Sequence, residues 1–216
     1  MRLFLPLFAL AFFSFFPGRA ARAGLILNGD FESGNTGFTS DFTFSPGNIV
    51  PASTYDIVTN PRLSHGSATS YGDHTTGSGL MLAANGSTSP NTVVWSQMVS
   101  VSQGQTYEFG VWTSSWFSPA GLQLQINAID VGAGFATPGT NGVWEQTVRT
   151  WNSGMATTAL ISLVNTTTAF SGNDFALDDI TFASTGTAAV PEPSTCCVFA
   201  TVFALSAAGV RRRKQH

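Results

Sequence analysis

Between residues 92 and 182 the chain repeats one pattern: short runs of alternating apolar and polar residues, separated by Gly, Ser, Asn and Pro. Leu122-Gln123-Leu124-Gln125-Ile126-Asn127-Ala128-Ile129 is the cleanest, with Leu122, Leu124, Ile126 and Ala128 facing inward and Gln123, Gln125 and Asn127 outward. Successive side chains point to opposite faces only in a strand, so this period of two excludes an amphipathic helix. Thr92–Val99, Thr106–Trp112, Trp144–Trp151, Thr158–Asn165 and Phe175–Phe182 follow the same rule. In the second of these, Tyr107, Phe109 and Val111 share the inward face. With strands near Leu25–Leu27 and Gly79–Ala83, about eight are expected, which predicts an all-β antiparallel sandwich of the jelly-roll kind. The segment 34–76 is Gly/Ser/Thr/Pro-rich and weakly periodic, and it reads as a long loop.

The two ends carry different signals. Arg2, an apolar stretch from Leu3 to Phe16 and the small-x-small step Ala21-Arg22-Ala23 describe a secretory signal peptide over residues 1–23. At the other end, Val190-Pro191-Glu192-Pro193 precedes an uncharged run from Thr195 to Val210, then Arg211-Arg212-Arg213-Lys214. Proline makes the first part a stiff spacer. The 16 residues of the run would rise about 24 Å as a helix, and the cations mark its cytoplasmic end. This layout resembles the PEP-CTERM sorting signal. The resemblance implies processing by an exosortase-type enzyme after transient membrane anchoring through a C-terminal transmembrane helix at 195–210. The domain between the signals is expected over 24–183, with a linker at 184–189.

Setting the signals aside changes the charge. Seven of the nine Lys and Arg lie in them, so from Gly24 to Ala189 two cations face eleven acids, a net charge of −9. Such a surface repels phosphate backbones and excludes nucleic acid as a partner. It favours cations, of which calcium is abundant outside cells. Cys196 and Cys197 both lie in the C-terminal apolar run, where they read as small helix filler, so the body has no disulfide to hold it.

Two motifs at opposite ends of the body belong together: Leu27-Asn28-Gly29-Asp30-Phe31-Glu32-Ser33-Gly34 and Asn173-Asp174-Phe175-Ala176-Leu177-Asp178-Asp179-Ile180. Together with the order of residues from Val94 to Trp112, they resemble carbohydrate-binding modules with a galactose-binding-like jelly roll. That resemblance implies a shared structural calcium between the chain ends. Carried over, Glu32 supplies a carboxylate, Asp30 a backbone carbonyl and Asp179 a second carboxylate, with Asp178 the less certain ligand. Calcium takes about six to eight hard oxygens, which suits such a set.

Sugar recognition needs exposed aromatic faces beside polar groups. Trp112 falls on the polar face of its strand and Trp116 follows shortly after, so these two are the candidate platforms. Catalysis has little support. His65 and His74 have no metal-ligand spacing, no G-x-S-x-G elbow occurs, and the body has no cysteine. The expected role is a noncatalytic, exported envelope or matrix protein with a glycan-binding-like module and exopolysaccharide as a possible partner. A structural biofilm or sheath component, or a polysaccharide-active enzyme, are the alternatives.

Overall fold

Burial on one side of each alternating run forces the strands to stack as two layers. The computed structural model describes residues 24–186 except Ser118, and these form eleven strands and a 3-10 turn at Pro61–Leu63. The strands are β1 (Thr43–Phe44), β2 (Thr54–Val58), β3 (Met81–Asn85), β4 (Thr92–Ser100), β5 (Thr106–Ser115) and β6 (Gly121–Ile126). They continue with β7 (Ile129–Asp130), β8 (Phe135–Ala136), β9 (Glu145–Asn152), β10 (Thr158–Asn165) and β11 (Asp174–Ser184). One sheet has the order β1-β2-β3-β11-β5-β9. The other has β4-β10-β6-β7, with β8 paired to β6. The result is an all-β sandwich. Both expected signals, 1–23 and 190–216, lie outside the described residues, as does half of the linker, 187–189. Among the described residues no helix is long and apolar enough to cross a membrane.

The core between the layers follows the alternation. Tyr107, Phe109 and Val111 of β5 and Phe175, Leu177 and Phe182 of β11 meet Trp95 of β4, Leu122, Leu124 and Ile126 of β6, and Ile161 and Leu163 of β10. All but Tyr107 are at most 1 % exposed. Burying each such side chain is worth about 1.5–3 kcal/mol, so this layer holds the domain together without disulfides.

Three sequence expectations need correcting. Leu25–Leu27 is not a strand: Leu25 donates its N–H to the Phe182 carbonyl at 2.8 Å, and the Gln97 side chain brackets the Leu27 backbone from both sides, at 2.8 and 3.0 Å. Ala128 does not face the core. Asn127 and Ala128 adopt φ of 53° and 62° and form the two-residue turn between β6 and β7; positive φ at both positions gives the turn the twist that matches right-twisted strands. Segment 34–76 is not structureless either. It contains β1 and β2, which are strands of the six-stranded sheet, and the 3-10 turn, and its parts around Ile49 and Ala68 lie over that sheet's outer face. Asp56 of β2 pins it there, accepting from Gly47 N at 2.8 Å and from the Ser64 hydroxyl.

The segment covers a second apolar cluster on that outer face: Ile49, Ala68, Ala83 and Trp116, with Val58 and Tyr71 against it. The six-stranded sheet is therefore buried on both sides over part of its area. Its outer face is where the candidate sites lie.

Candidate functional site

The two end motifs meet. In β11 the pairing with β5 is interrupted between Asp178 and Thr181, and Asp179 takes φ of 46°. This bulge frees Ile180 N to donate to the Gly29 carbonyl at 2.9 Å. A Cβ at Gly29 would run into the Ile180 carbonyl, so the close approach requires glycine. Asn28 closes the N-terminal turn, accepting from Ser33 N and donating to the carbonyls of Gly34 and Thr36. Fully buried Phe31 sits at φ 57°, an unfavourable backbone region for an aromatic residue. Such strain persists only where the surroundings over-determine it.

The four acids named from the sequence occupy different environments around this junction. Asp30 is exposed. Glu32 is exposed as a residue, yet its Oε1 accepts from Leu80 N at 2.7 Å. Asp179 Oδ2 pairs with His74 Nδ1 and accepts from the Thr75 hydroxyl, each at 2.6 Å. Asp178 is fully buried and accepts from His74 N at 2.9 Å and from Asp179 N at 2.8 Å. Burial pushes the Asp178 carboxyl up to about 7, its two N–H donors oppose that, and the neighbouring Asp179 and Asp73 add to it.

Sequence reasoning missed Asp73 and His74. Asp73 organises the loop 73–79, accepting from Thr76 N at 2.8 Å, Gly79 N at 2.7 Å and the Thr76 hydroxyl. Burial by itself would raise its carboxyl, but these donors outweigh it and hold Asp73 below the usual carboxylate range. Glu32 Oε1 and Asp73 Oδ2 converge on Gly79, where a Cβ would meet both. The D-x-x-T spacing is the usual side-chain-capped turn and offered a local signal. His74 offered none, because its partners Asp178 and Asp179 are more than a hundred residues away. Among the described residues no three His, Cys, Asp or Glu side chains are arranged to hold a metal ion unaided.

The two tryptophans separate. Trp112 is half-buried on the outer face, its indole stacked on the His74 ring with centroids 3.7 Å apart and planes inclined by 16°. Trp144 stands edge-on to His74 at 6.1 Å and donates its N–H to the Gly72 carbonyl. Trp112, His74 and Trp144 thus make a partly exposed aromatic surface above the carboxylates. Trp116 is no platform. It is fully buried, donates its N–H to the Phe175 carbonyl at 2.9 Å, and packs under the segment that crosses the sheet. The outer face of β5 is polar in pattern but not open to solvent at Trp116, which the alternation cannot reveal.

No family model and no curated protein matches this chain. Solved structures do. The CBM22-1 xylan-binding domain from Paenibacillus barcinonensis Xyn10C superposes with a TM-score of 0.53 at 17% identity, covering 78% of this chain and 100% of that domain. The CBM22-1-CBM22-2 tandem of the same protein gives 0.52 at 18% identity, covering 81% of this chain and 49% of the tandem. The body therefore has the fold of a carbohydrate-binding module.

Proposed function

We propose that this chain is an exported, noncatalytic carbohydrate-binding protein of the cell envelope or extracellular matrix. The observation that carries the reading is a fold alignment spanning the whole of a xylan-binding domain, in a body that sets a half-exposed tryptophan on the outer sheet face. One face of Trp112 is covered by His74, so a pyranose ring would use the other face and the edge of Trp144. Gel electrophoresis through soluble xylan, β-1,4-galactan and β-glucan tests it. Retardation by at least one polymer, lost in Trp112→Ala, is expected. Unchanged mobility in every polymer would instead favour a matrix component without a defined glycan ligand.

Sorting by an exosortase-type enzyme is part of the same proposal and rests on Val190–Pro193 and Arg211–Arg213. Intact mass of envelope material should lack the residues from Arg211 to His216. A structural calcium at the junction of the end motifs is proposed as well. Its support is a buried carboxylate group, Asp178 beside Asp73 and Asp179, that no Lys or Arg of the described residues neutralises. Glu32, Asp178 and backbone carbonyls such as that of Asp30 would hold it. Asp179 would have to exchange His74 and Thr75 for the metal. Calcium in hundredfold excess over Kd should add about 2.7 kcal/mol of stability, reversed by EDTA and abolished in Glu32→Ala. An unchanged melting temperature would remove calcium from the account.

A further inference from the structure

At the other end of β11, four residues before Asp178, the outer face opens into a separate cavity of about 280 Å³. It forms where the segment crossing the sheet meets the chain after β5 and the turn before β11. Asp174 lies within it, 6 % exposed, and among the described residues no donor reaches its carboxyl. Burial pushes that carboxyl up to about 7. Asn85 of β3 pairs with Asp174 across the ladder. It spends an amide N–H on the Val50 carbonyl at 2.9 Å, which leaves its side-chain oxygen without a donor among the described residues. His65 packs its ring against Trp116 at 4.9 Å and holds a buried Nδ1 with no partner among the described residues. Around these polar groups stand Phe117 and Phe170, 49 % and 84 % exposed.

The side-chain oxygens of Asp174 and Asn85 face the cavity and take no donor from the described residues, and two phenyl rings stand in water beside them. A ligand that suits them brings several hydrogen-bond donors on one side and an apolar face on another. The volume lies below the usual range for drug-sized pockets and fits one ring. A primary ammonium ion could donate to both Asp174 and Asn85 but brings no flat apolar face for the phenyl rings, and a quaternary one brings no donor. A sugar ring supplies both, with adjacent hydroxyls for Asp174 and Asn85 and a C–H face for a phenyl.

We propose that this cavity binds a single sugar residue, its hydroxyls donating to Asp174 and Asn85 and its ring resting on Phe117 or Phe170, independently of the Trp112 surface. The choice of ligand class rests on the carbohydrate-binding reading above. The test is an amide-resonance titration of the full chain with D-glucose, D-galactose, D-mannose and D-xylose in turn, with choline as a cationic control. At least one sugar should shift resonances of residues around Asp174, Phe117 and Phe170. Asp174→Asn and the surface change Phe170→Ala should each weaken that binding about tenfold, the loss of one charge-assisted hydrogen bond or one ring contact. Shifts confined to the Trp112–His74 surface, no shift with any sugar, or a response of the cavity to choline alone would overturn the proposal. Polymer retardation of the same protein then separates the two readings. Retardation without cavity shifts leaves the carbohydrate-binding function standing, whereas neither response removes both.

Discussion

Asp178 and Asp174 lie on the same face of the same strand, both are nearly inaccessible, and burial pushes both carboxyls up to about 7. Their surroundings differ completely. The loop 73–79 brings the His74 N–H to Asp178 and, with the bulge, adds that of Asp179. At Asp174 the chain passes around the carboxyl and leaves a cavity. One end of the outer face is a closed anchor and the other an open receptacle. A buried acid reveals its role by its donors, not by its burial.

The strongest test of the closed end is Gly29→Ala. Its Cβ would run into the rigid Ile180 backbone and press on the Ile26 side chain, so a loss of about 3 kcal/mol is expected, lowering Tm by roughly 6–12 °C. Gly86→Ala strikes the Asn173 side chain at the open end and should cost a similar amount, since Asn173 is itself buried in bonds to Asn165 and the Ser87 carbonyl. Wild-type melting in either variant would show that the contact yields.

A pH series probes both acids together. Each holds its proton in the folded chain to about pH 7, against an ordinary value of 3.8. The folded state therefore binds more protons over that window, and stability falls as pH rises from about 4 to 7. Together the two shifts correspond to about 8 kcal/mol, and screening where water reaches the groups reduces this, so a decline of several kcal/mol is expected by thermal melting, smaller in Asp174→Asn. A flat profile in metal-free protein would contradict the burial of the pair.

Single replacements then divide the two acids. Asp178→Ala leaves two N–H groups without an acceptor and should cost about 2 kcal/mol, while Asp174→Ala at pH 8 should be neutral or stabilising by about 1 kcal/mol. Equal effects would erase the distinction drawn between them. The smallest change belongs to His74→Ala, with a loss of about 1 kcal/mol from the ring stack. Its clearer readout is greater quenching of tryptophan fluorescence by iodide as Trp112 is uncovered.

The strands were legible because alternation is a local consequence of burying one face. β10 has the bounds its sequence pattern predicts, and β4, β5, β9 and β11 differ by only a few residues at their ends. β2 escaped notice because it is only five residues long and lies between Pro51 and Pro61 in a stretch rich in turn-forming residues; that its outward Asp56 is covered, with donors from Gly47 and Ser64, is decided by the fold. The end motifs were legible as partners through the family resemblance that their compact runs carry, and Gly29 and Ile180 do meet. Trp116 was misread because its burial depends on what lies over the outer face, Ile49 and Ala68 from a distant segment.

The amino-acid sequence by itself determined the layered all-β body, its inward residues, its acidic charge and the association of its two end motifs. The first three follow from periodicity and counts, and the last from the resemblance that the two runs carry to a known family. Only the tertiary structure decided that His74 stacks on Trp112, that Asp178 is saturated while Asp174 is not, and that Phe117 and Phe170 flank one cavity. Those relations join residues tens to over a hundred positions apart, through a segment without strong periodicity of its own. Its path is set by the few side chains that pin it to the sheet.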